Sequence, residues 1–307
     1  MNYVLFVGSR LGYNMLKLFC EKNLNILQVF VEKEHSHEHK KYYEESLKIC
    51  NQLNIPVTLN ASSKKVMECI DNIPSNIDYI MSFGYRRMIS QKVIDQASIA
   101  ALGSHFSPLP RYRGFAPLNW LLINGEDYTA VNLFYLDKEV DNGDIVSSKR
   151  VNISYEDDIN TLFDKCLKTF ETLMIEVLPS IEDNNFTTTK QKNEEASYTC
   201  ARAPEDGKIV WNCTSSEIYN LVRGLTYPYP GAFTFLRNKK LIILSCEEYD
   251  SKNYVGRIPG RVIKVIKDSG VVVLCGDKAI YIKEIMDEVG NTHTADKIIK
   301  SVRDTLI

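Results

Sequence analysis

Short apolar runs alternate with amphipathic stretches through the first 110 residues. Residues 3–7, 25–31, 56–59, 78–82 and 99–105 are brief, rich in Val, Ile, Phe and Tyr, and bounded by polar or turn residues, which reads as strands. Between them, 11–22 carries Met15, Leu16, Leu18 and Phe19 at helical spacing, 42–53 reads as a helix and 93–97 as a helical turn. Strand–helix alternation of this kind implies a mostly parallel, doubly wound α/β sheet with helices on both faces. A short helix at 117–122, strands at 130–136 and 145–151, and a long helix at 157–178 follow. The texture then turns polar, with Asn-Asn, a Thr run and Gln-Lys-Asn-Glu-Glu over 182–196. Beyond it come a helix at 215–223, the turn Tyr227-Pro-Tyr-Pro-Gly231, five short strands within 232–285 and a final helix over 295–302. Short strands divided by turn signals predict a small barrel or curled sheet. The expected division is a domain at 1–181, a linker at 182–198 and a β-rich domain at 199–307.

Composition narrows the class. The chain has 307 residues, 44% hydrophobic and 25% charged, as in ordinary globular proteins, with material for a sizeable core. A net charge of -2 gives no global attraction to nucleic acid or anionic membrane. The eight cysteines are scattered without CxxC or CxxH spacing, so they read as reduced, mostly buried thiols of a cytoplasmic protein. The apolar start lacks a basic leader and reads as a strand rather than a signal peptide, and no stretch reaches membrane-spanning length.

The chemistry concentrates in Gly103-Ser-His-Phe-Ser-Pro-Leu-Pro-Arg-Tyr-Arg-Gly-Phe-Ala-Pro117 and Val140-Asp-Asn-Gly-Asp144. His105 leaves a predicted strand, and Asp141 arrives one helix and one strand later. That order can bring an imidazole and a carboxylate to one end of a sheet, where the carboxylate fixes the ring's tautomer and the other nitrogen exchanges a proton with substrate. Asp144 reads as a turn or cap residue. His35, His37 and His39 alternate as metal ligands on a strand would, but within a charged stretch that reads as a solvated loop; no metal site is expected. Gly8-Ser-Arg-Leu-Gly12 lacks GxGxxG and reads as a turn entering a helix. Trp120 reads as a core residue. Tyr227, Tyr229 and Phe233 suit either stacking on a nucleotide base or domain packing.

The pattern His105-x-Ser107-x-Leu109-Pro110-x-x-Arg113-Gly114, followed by Asp141-x-Gly143-Asp144, resembles the formyltransferases that use formyltetrahydrofolate. The chain is similar to that family also at Ser82-Phe-Gly-Tyr-Arg-Arg-Met-Ile89, Ala203-Pro-Glu-Asp-Gly-Lys-Ile-Val-Trp211 and Arg223-Gly-Leu-Thr-Tyr-Pro-Tyr-Pro-Gly-Ala-Phe233. The resemblance implies a Rossmann-like catalytic domain, a smaller OB- or barrel-like C-terminal domain, and formyl transfer from 10-formyltetrahydrofolate to a primary amine. It implies catalytic roles for His105 and Asp141, and for an Asn at the position held here by Gly103. An amine must attack neutral and shed a proton, so His105 either accepts that proton or donates to the oxyanion, with Asp141 orienting the ring. The missing Asn would supply an amide donor, whose removal in other systems costs about two to three decades in turnover. A backbone N–H, a water, or the hydroxyl of Ser104 or Ser107 stand as replacements. Strand alternation turns Ser104 away from His105, and a ligand-bound water in the space left by the amide is the expected one.

For the cofactor, the resemblance implies a pocket lined by Gly84, Tyr85, Met88 and Ile89, and by Leu136, Asp137 and Val140. Ser107, Arg113, Tyr227 and Tyr229 are expected at the substrate, Arg113 with a turn-shaping role equally open. Gly114-Phe-Ala-Pro-Leu-Asn-Trp120 and Pro204-Glu-Asp-Gly207 look more like the enzymes that formylate nucleotide-linked amino sugars for surface glycans. Relatives acting on tRNA resemble one another in a basic, glycine-rich insertion after the second strand, which the His/Glu stretch replaces here. From 201 onward 16 Lys/Arg face 13 Asp/Glu, too small an excess for a strong phosphate grip. The alternatives are methionyl-tRNA formyltransferase and a non-catalytic folate-binding homologue; a homodimer is compatible with the sugar enzymes.

Overall fold

A computed structural model describes residues 1–34 and 40–307, so His35, His37 and His39 lie outside the described residues. The strands are β1 Asn2–Val7, β2 Asn25–Val31, β3 Val57–Leu59, β4 Ile77–Phe83, β5 Ala97–His105, β6 Arg113–Gly114, β7 Tyr128–Tyr135, β8 Ile145–Asn152, β9 Tyr198–Thr199, β10 Ala232–Leu236, β11 Lys239–Tyr249, β12 Val262–Ile266, β13 Gly270–Leu274, β14 Ala279–Met286 and β15 Thr292–Thr294. The helices are α1 Ser9–Glu21, α2 Tyr42–Gln52, α3 Ser63–Asp71, α4 Gln91–Ile94, α5 Pro117–Ile123, α6 Ile159–Glu182 and α7 Ser215–Leu225. Two compact units emerge. The first comprises Met1–Gly114, Thr129–Val151 and Asp164–Tyr198; the second comprises Phe115–Tyr128, Asn152–Phe163 and Thr199–Ile307. Among the described residues no helix is long and apolar enough to cross a membrane.

In the first unit a seven-stranded sheet runs β3-β2-β1-β4-β5-β7-β8, parallel from β3 to β5, with β7 antiparallel to β5. Strand alternation explains why both faces are covered. Val4 and Phe6 of β1 join a core with Val66 and Ile70 of α3 and Val93 of α4. Tyr3 turns the other way, edge-on to Phe19 of α1, while Phe83 meets Phe19 and Phe170 of α6. The sequence pattern passed over α3. Its Ser62 cap accepts from Lys65 N at 3.2 Å, and its short apolar stripe is Val66 and Ile70.

The second unit carries the antiparallel order β10-β11-β14-β13-β12, with β15 beside β14. Val271 and Val273 of β13 face the main core with Trp211, Ile218 and Ile282, while Val272 and Leu274 face a smaller cluster with Ala279. The helix expected at 295–302 is a single 3-10 turn, Ala295–Lys297. The tail after it is captured by both sheet edges: Ile307 exchanges two hydrogen bonds with Phe235 of β10, Leu306 N donates to Gly260 O, and Thr305 bridges to Arg261 beside β12. Unpaired edge groups outcompete local helix propensity here, and the sheet becomes barrel-like.

The cysteines are unpaired: Cys50, Cys166, Cys246 and Cys275 are buried and Cys200 is exposed. Burial pushes the Cys50 and Cys246 thiols up to about 12.

Candidate active site

His105 ends β5 at the carboxyl edge of the sheet and is 8% exposed. Its position is set by a residue the sequence analysis did not single out. Asn132 on β7 pairs with His105 in register, and its Nδ2 donates to the carbonyls of His105 (3.0 Å) and Ser107 (2.6 Å). Its Oδ1 accepts from Ser148 Oγ at 2.7 Å. A lone amide amid Val131 and Leu133, buried in an apolar strand, was the available signal.

Asp141 comes to the same place. Its Oδ2 lies 3.4 Å from His105 Nδ1 and accepts Gly114 N at 2.8 Å. The backbone reaches this point through a left-handed φ of 51° at Asp141, a conformation uncommon for a side-chain-bearing residue. Gln191 holds it there: its Nε2 donates to the carbonyls of Asp141 (2.8 Å) and Gly143 (2.7 Å), on either side of Asn142. Gln191 is in turn held by Arg113, whose Nε and Nη2 donate to Gln191 Oε1 at 3.2 and 2.8 Å, with Nη2 also reaching Asn193 Oδ1 at 2.9 Å. The stretch 182–198, read as a linker, thus lies in the first unit and braces the carboxylate. Gln191 has no local signal, because its partners are about fifty and eighty residues away in sequence.

Gly143 is fixed by contact: a Cβ there would sit 1.9 Å from Tyr135 O, and Tyr135 N donates to Asp144 O at 2.9 Å. The Asp-x-Gly-Asp turn therefore lies flat against the end of β7.

Two residues of the expected substrate set are buried. Ser107 is fully buried and donates its hydroxyl to Arg111 O at 2.8 Å. Arg113 is 1% exposed and its guanidinium is spent on Gln191, Asn193 and Tyr198. Neither side chain presents surface to a ligand; both shape the turn. Tyr227 and Tyr229 are exposed in the second unit. Trp120, expected in a core, is half-buried there, with its Nε1 on Cys200 O and Arg202 over its ring.

The imidazole also differs from expectation. Its Nε2 is 2.9 Å from Tyr112 O, so the second nitrogen is engaged as well. Both neighbours are acceptor groups, and the contact to Tyr112 O is the one close enough to be a hydrogen bond. A neutral ring can donate to only one of them, whereas the protonated ring donates to both.

Beside Gly103 the nearest atom is a leucine methyl. A Cβ there would meet Leu136 Cδ2 at 2.6 Å, so a side chain at 103 would displace the movable end of that leucine. Ser104 points its hydroxyl at Ser82 O, 3.4 Å away, as strand alternation predicts.

Both segments expected at the cofactor place side chains against the same core cluster. Tyr85, Ile89 and Leu136 pack, half-buried, against one core cluster, and Met88 (68%) and Val140 (42%) stand exposed near them in sequence. Burial pushes the Tyr85 phenol up, keeping it neutral. Glu32, buried after β2, accepts from Arg86 N at 2.7 Å and Arg87 Nε at 3.3 Å, tying down the loop that carries Tyr85. Gly84 has φ 62°, and a Cβ on it would meet Gly8 O at 2.5 Å. Gly8 N already donates to Phe83 O, so the first glycine loop serves this backbone crossing rather than a phosphate. Asp137 is exposed and accepts its neighbour Lys138 N. Among the described residues no three His, Cys, Asp or Glu side chains converge as a metal site.

Comparison with known proteins decides the family. A profile described as "Formyl transferase" matches residues 4–178, and one described as "Formyl transferase, C-terminal domain" matches residues 202–303. The chain belongs to the formyl transferase family. The chain is 30% identical over 288 residues to the bifunctional polymyxin resistance protein ArnA of Wigglesworthia glossinidia brevipalpis, covering 92% of this chain and 42% of that protein. In fold it is similar to HypX from Aquifex aeolicus in complex with tetrahydrofolic acid (TM-score 0.65, 17% identity, 97% of this chain and 47% of that one). It is also similar to the N-formyltransferase from Helicobacter canadensis in complex with folinic acid and dTDP-3-aminofucose (TM-score 0.69, 18% identity, 92% and 99%). The chain thus spans less than half the length of ArnA and HypX.

Proposed function

We propose that this formyl transferase moves the formyl group of 10-formyltetrahydrofolate onto the primary amine of a nucleotide-linked amino sugar. The observation that carries the reading is the His105–Asp141 pair, 3.4 Å apart at the carboxyl end of the sheet. When bound, the folate supplies the formyl group, and its N10 keeps the proton the amine gives up. Both contacts described for the Asp141 carboxylate fall on Oδ2. Oδ1 is therefore the atom that holds the N–H of the incoming amine and aims its lone pair. His105 stands beside Asp141 with its Nε2 on Tyr112 O, and takes the amine's proton or donates to the formyl oxygen once Nε2 leaves that carbonyl.

The residues fit a folate. A flat, largely apolar ring needs a partly open hydrophobic wall, to which we assign Tyr85, Ile89 and Leu136, with Met88 and Val140 exposed close to them in sequence. Gly84 and Asp137 shape the ends of the two loops. Of the acceptor classes, the amino sugar is supported by the likeness to the Helicobacter canadensis enzyme and by the weak basic excess of the C-terminal half. Tyr227 and Tyr229 are the aromatic side chains we assign to the nucleotide base.

The test is formyl transfer from 10-formyltetrahydrofolate to a panel of nucleotide amino sugars, with methionyl-tRNA as comparison. Transfer to a sugar and not to tRNA is expected. His105→Ala should lower turnover by about two to four decades while folate binding persists. Full activity in that variant refutes the mechanism, and folate binding without transfer to any amine refutes the enzyme reading.

A further inference from the structure

Both groups that flank the imidazole sit on left-handed backbone, although neither residue is glycine. Tyr112, at φ 60°, puts its carbonyl oxygen 2.9 Å from His105 Nε2. Asp141, at φ 51°, puts Oδ2 3.4 Å from Nδ1. Such backbone is unfavourable for a side-chain-bearing residue and persists only where surrounding contacts over-determine it. The surroundings of the ring therefore depend on whatever holds these two residues.

One polar stretch after α6 holds both. It is anchored at Thr189, which exchanges two hydrogen bonds of 2.8 Å with Ile145 at the start of β8. Gln191 Nε2 then donates to the carbonyls of Asp141 and Gly143, while its Oε1 accepts Nε and Nη2 of the buried Arg113. With two donors on its oxygen the amide cannot turn over, so its NH2 stays on the Asp141 turn. Further along, Ser197 Oγ accepts Tyr112 N at 3.0 Å and Ser197 O accepts Arg113 N at 2.9 Å. Ser197 N in turn donates to Pro110 O at 3.3 Å.

We infer that Gln191 and Ser197 are positioning residues for formyl transfer: Gln191 fixes the carboxylate through the Asp141 backbone, and Ser197 fixes the imidazole through Tyr112 O. This rests on the formyl-transfer reading above. It makes the 189–197 stretch a strap that keeps the two halves of the His105–Asp141 pair in register.

Gln191→Glu separates positioning from packing. The glutamate keeps both Arg113 hydrogen bonds, now charge-assisted, but its other oxygen has no hydrogen to offer Asp141 O or Gly143 O. Melting should stay close to wild type while kcat falls about tenfold to a hundredfold, as for a misplacement of about 1 Å. Ser197 lies at the surface, so water partly replaces its hydroxyl on Tyr112 N. Ser197→Ala should lower kcat about fivefold, and Ser197→Thr, which keeps the hydroxyl, should stay within about twofold of wild type. KM for 10-formyltetrahydrofolate should change by less than about threefold in all three.

A merely structural role gives a different result in double variants. Added to Asp141→Ala, Gln191→Glu should cost nothing more, because no carboxylate is left to position. Ser197→Ala should likewise be silent in His105→Ala. General loosening of the fold would lower those residual rates too. Independently of turnover, the Nε2 resonance of 15N-labelled His105, assigned by its loss in His105→Ala, should move in Ser197→Ala and overlay wild type in Ser197→Thr. The inference is overturned if Gln191→Glu or Ser197→Ala turns over within about twofold of wild type, if that resonance does not move in Ser197→Ala, or if either rate loss persists undiminished in its double variant. A wild type that formylates no amine removes the formyl-transfer reading, whereas the His105 resonance still reports whether Ser197 holds the ring.

Discussion

A methyl group added at Gly143 tests whether the Asp141 turn is rigid because catalysis requires it. The alanine Cβ would lie 1.9 Å from Tyr135 O, against the 3.0 Å that real contacts respect, so the two must separate by about 1 Å. The obstacle is backbone, and no rotamer relieves it. Tyr135 cannot yield easily, because it is paired with Leu102 in β5 and its N–H is bonded to Asp144 O. The displacement therefore falls on the turn, carrying Asp141 away from His105 Nδ1, from which Oδ2 is already 3.4 Å distant. Misplacement of about 1 Å at a reacting group costs on the order of a hundredfold in rate, and overpacking of this kind about 1–3 kcal/mol in stability. Steady-state formyl transfer and thermal melting of Gly143→Ala read the two effects separately. Gly256→Ala is the control, since nothing lies within 4 Å of its Cβ position, and it should leave both unchanged. A Gly143→Ala enzyme with wild-type kcat/KM would show that the His105–Asp141 geometry is not what sets the rate.

Other consequences are equally direct. Arg113→Lys replaces a planar fork that makes four hydrogen bonds to Gln191, Asn193 and Tyr198 with a single ammonium. Chemical denaturation should show a loss on the order of 2–4 kcal/mol, with kcat falling as Gln191 loosens its hold on Asp141. In the second unit the Asp287 carboxyl is held down to about 2, chiefly by the hydrogen bond from His293 and then by Asn291 N–H. A depressed folded value means the contribution is fully present above the unfolded carboxyl range and lost as pH falls from about 4 to about 2. Melting temperature measured across that window should fall less steeply in Asp287→Asn than in wild type; identical slopes would count against the assignment.

The alternation of strands and helices, the late β-rich half and the pairing of His105 with Asp141 were all legible from residue order. Each depends on local periodicity or on the fact that parallel strands deliver their carboxyl ends to one edge. The burial of Ser107 and Arg113 was not legible, for the complementary reason. A polar residue in a motif looks the same whether it faces ligand or folds back, and only packing shows that Arg113 is buried under Gln191 and Asn193. The tail misled in the same way. Residues 295–302 have the pattern of a helix, yet the chain beyond them is drawn out by the open edges of β10 and β12.

Sequence by itself determined which elements carry His105 and Asp141 and the order in which they arrive, because periodicity and motif spacing are local properties. Tertiary structure alone decided what each nitrogen of His105 faces, that a Leu136 methyl lies beside Gly103, and that Gln191 reaches across from a polar stretch to clamp the Asp141 turn. Those outcomes rest on contacts between residues tens of positions apart. They exist only once the chain has closed on itself, and no window of sequence contains both partners.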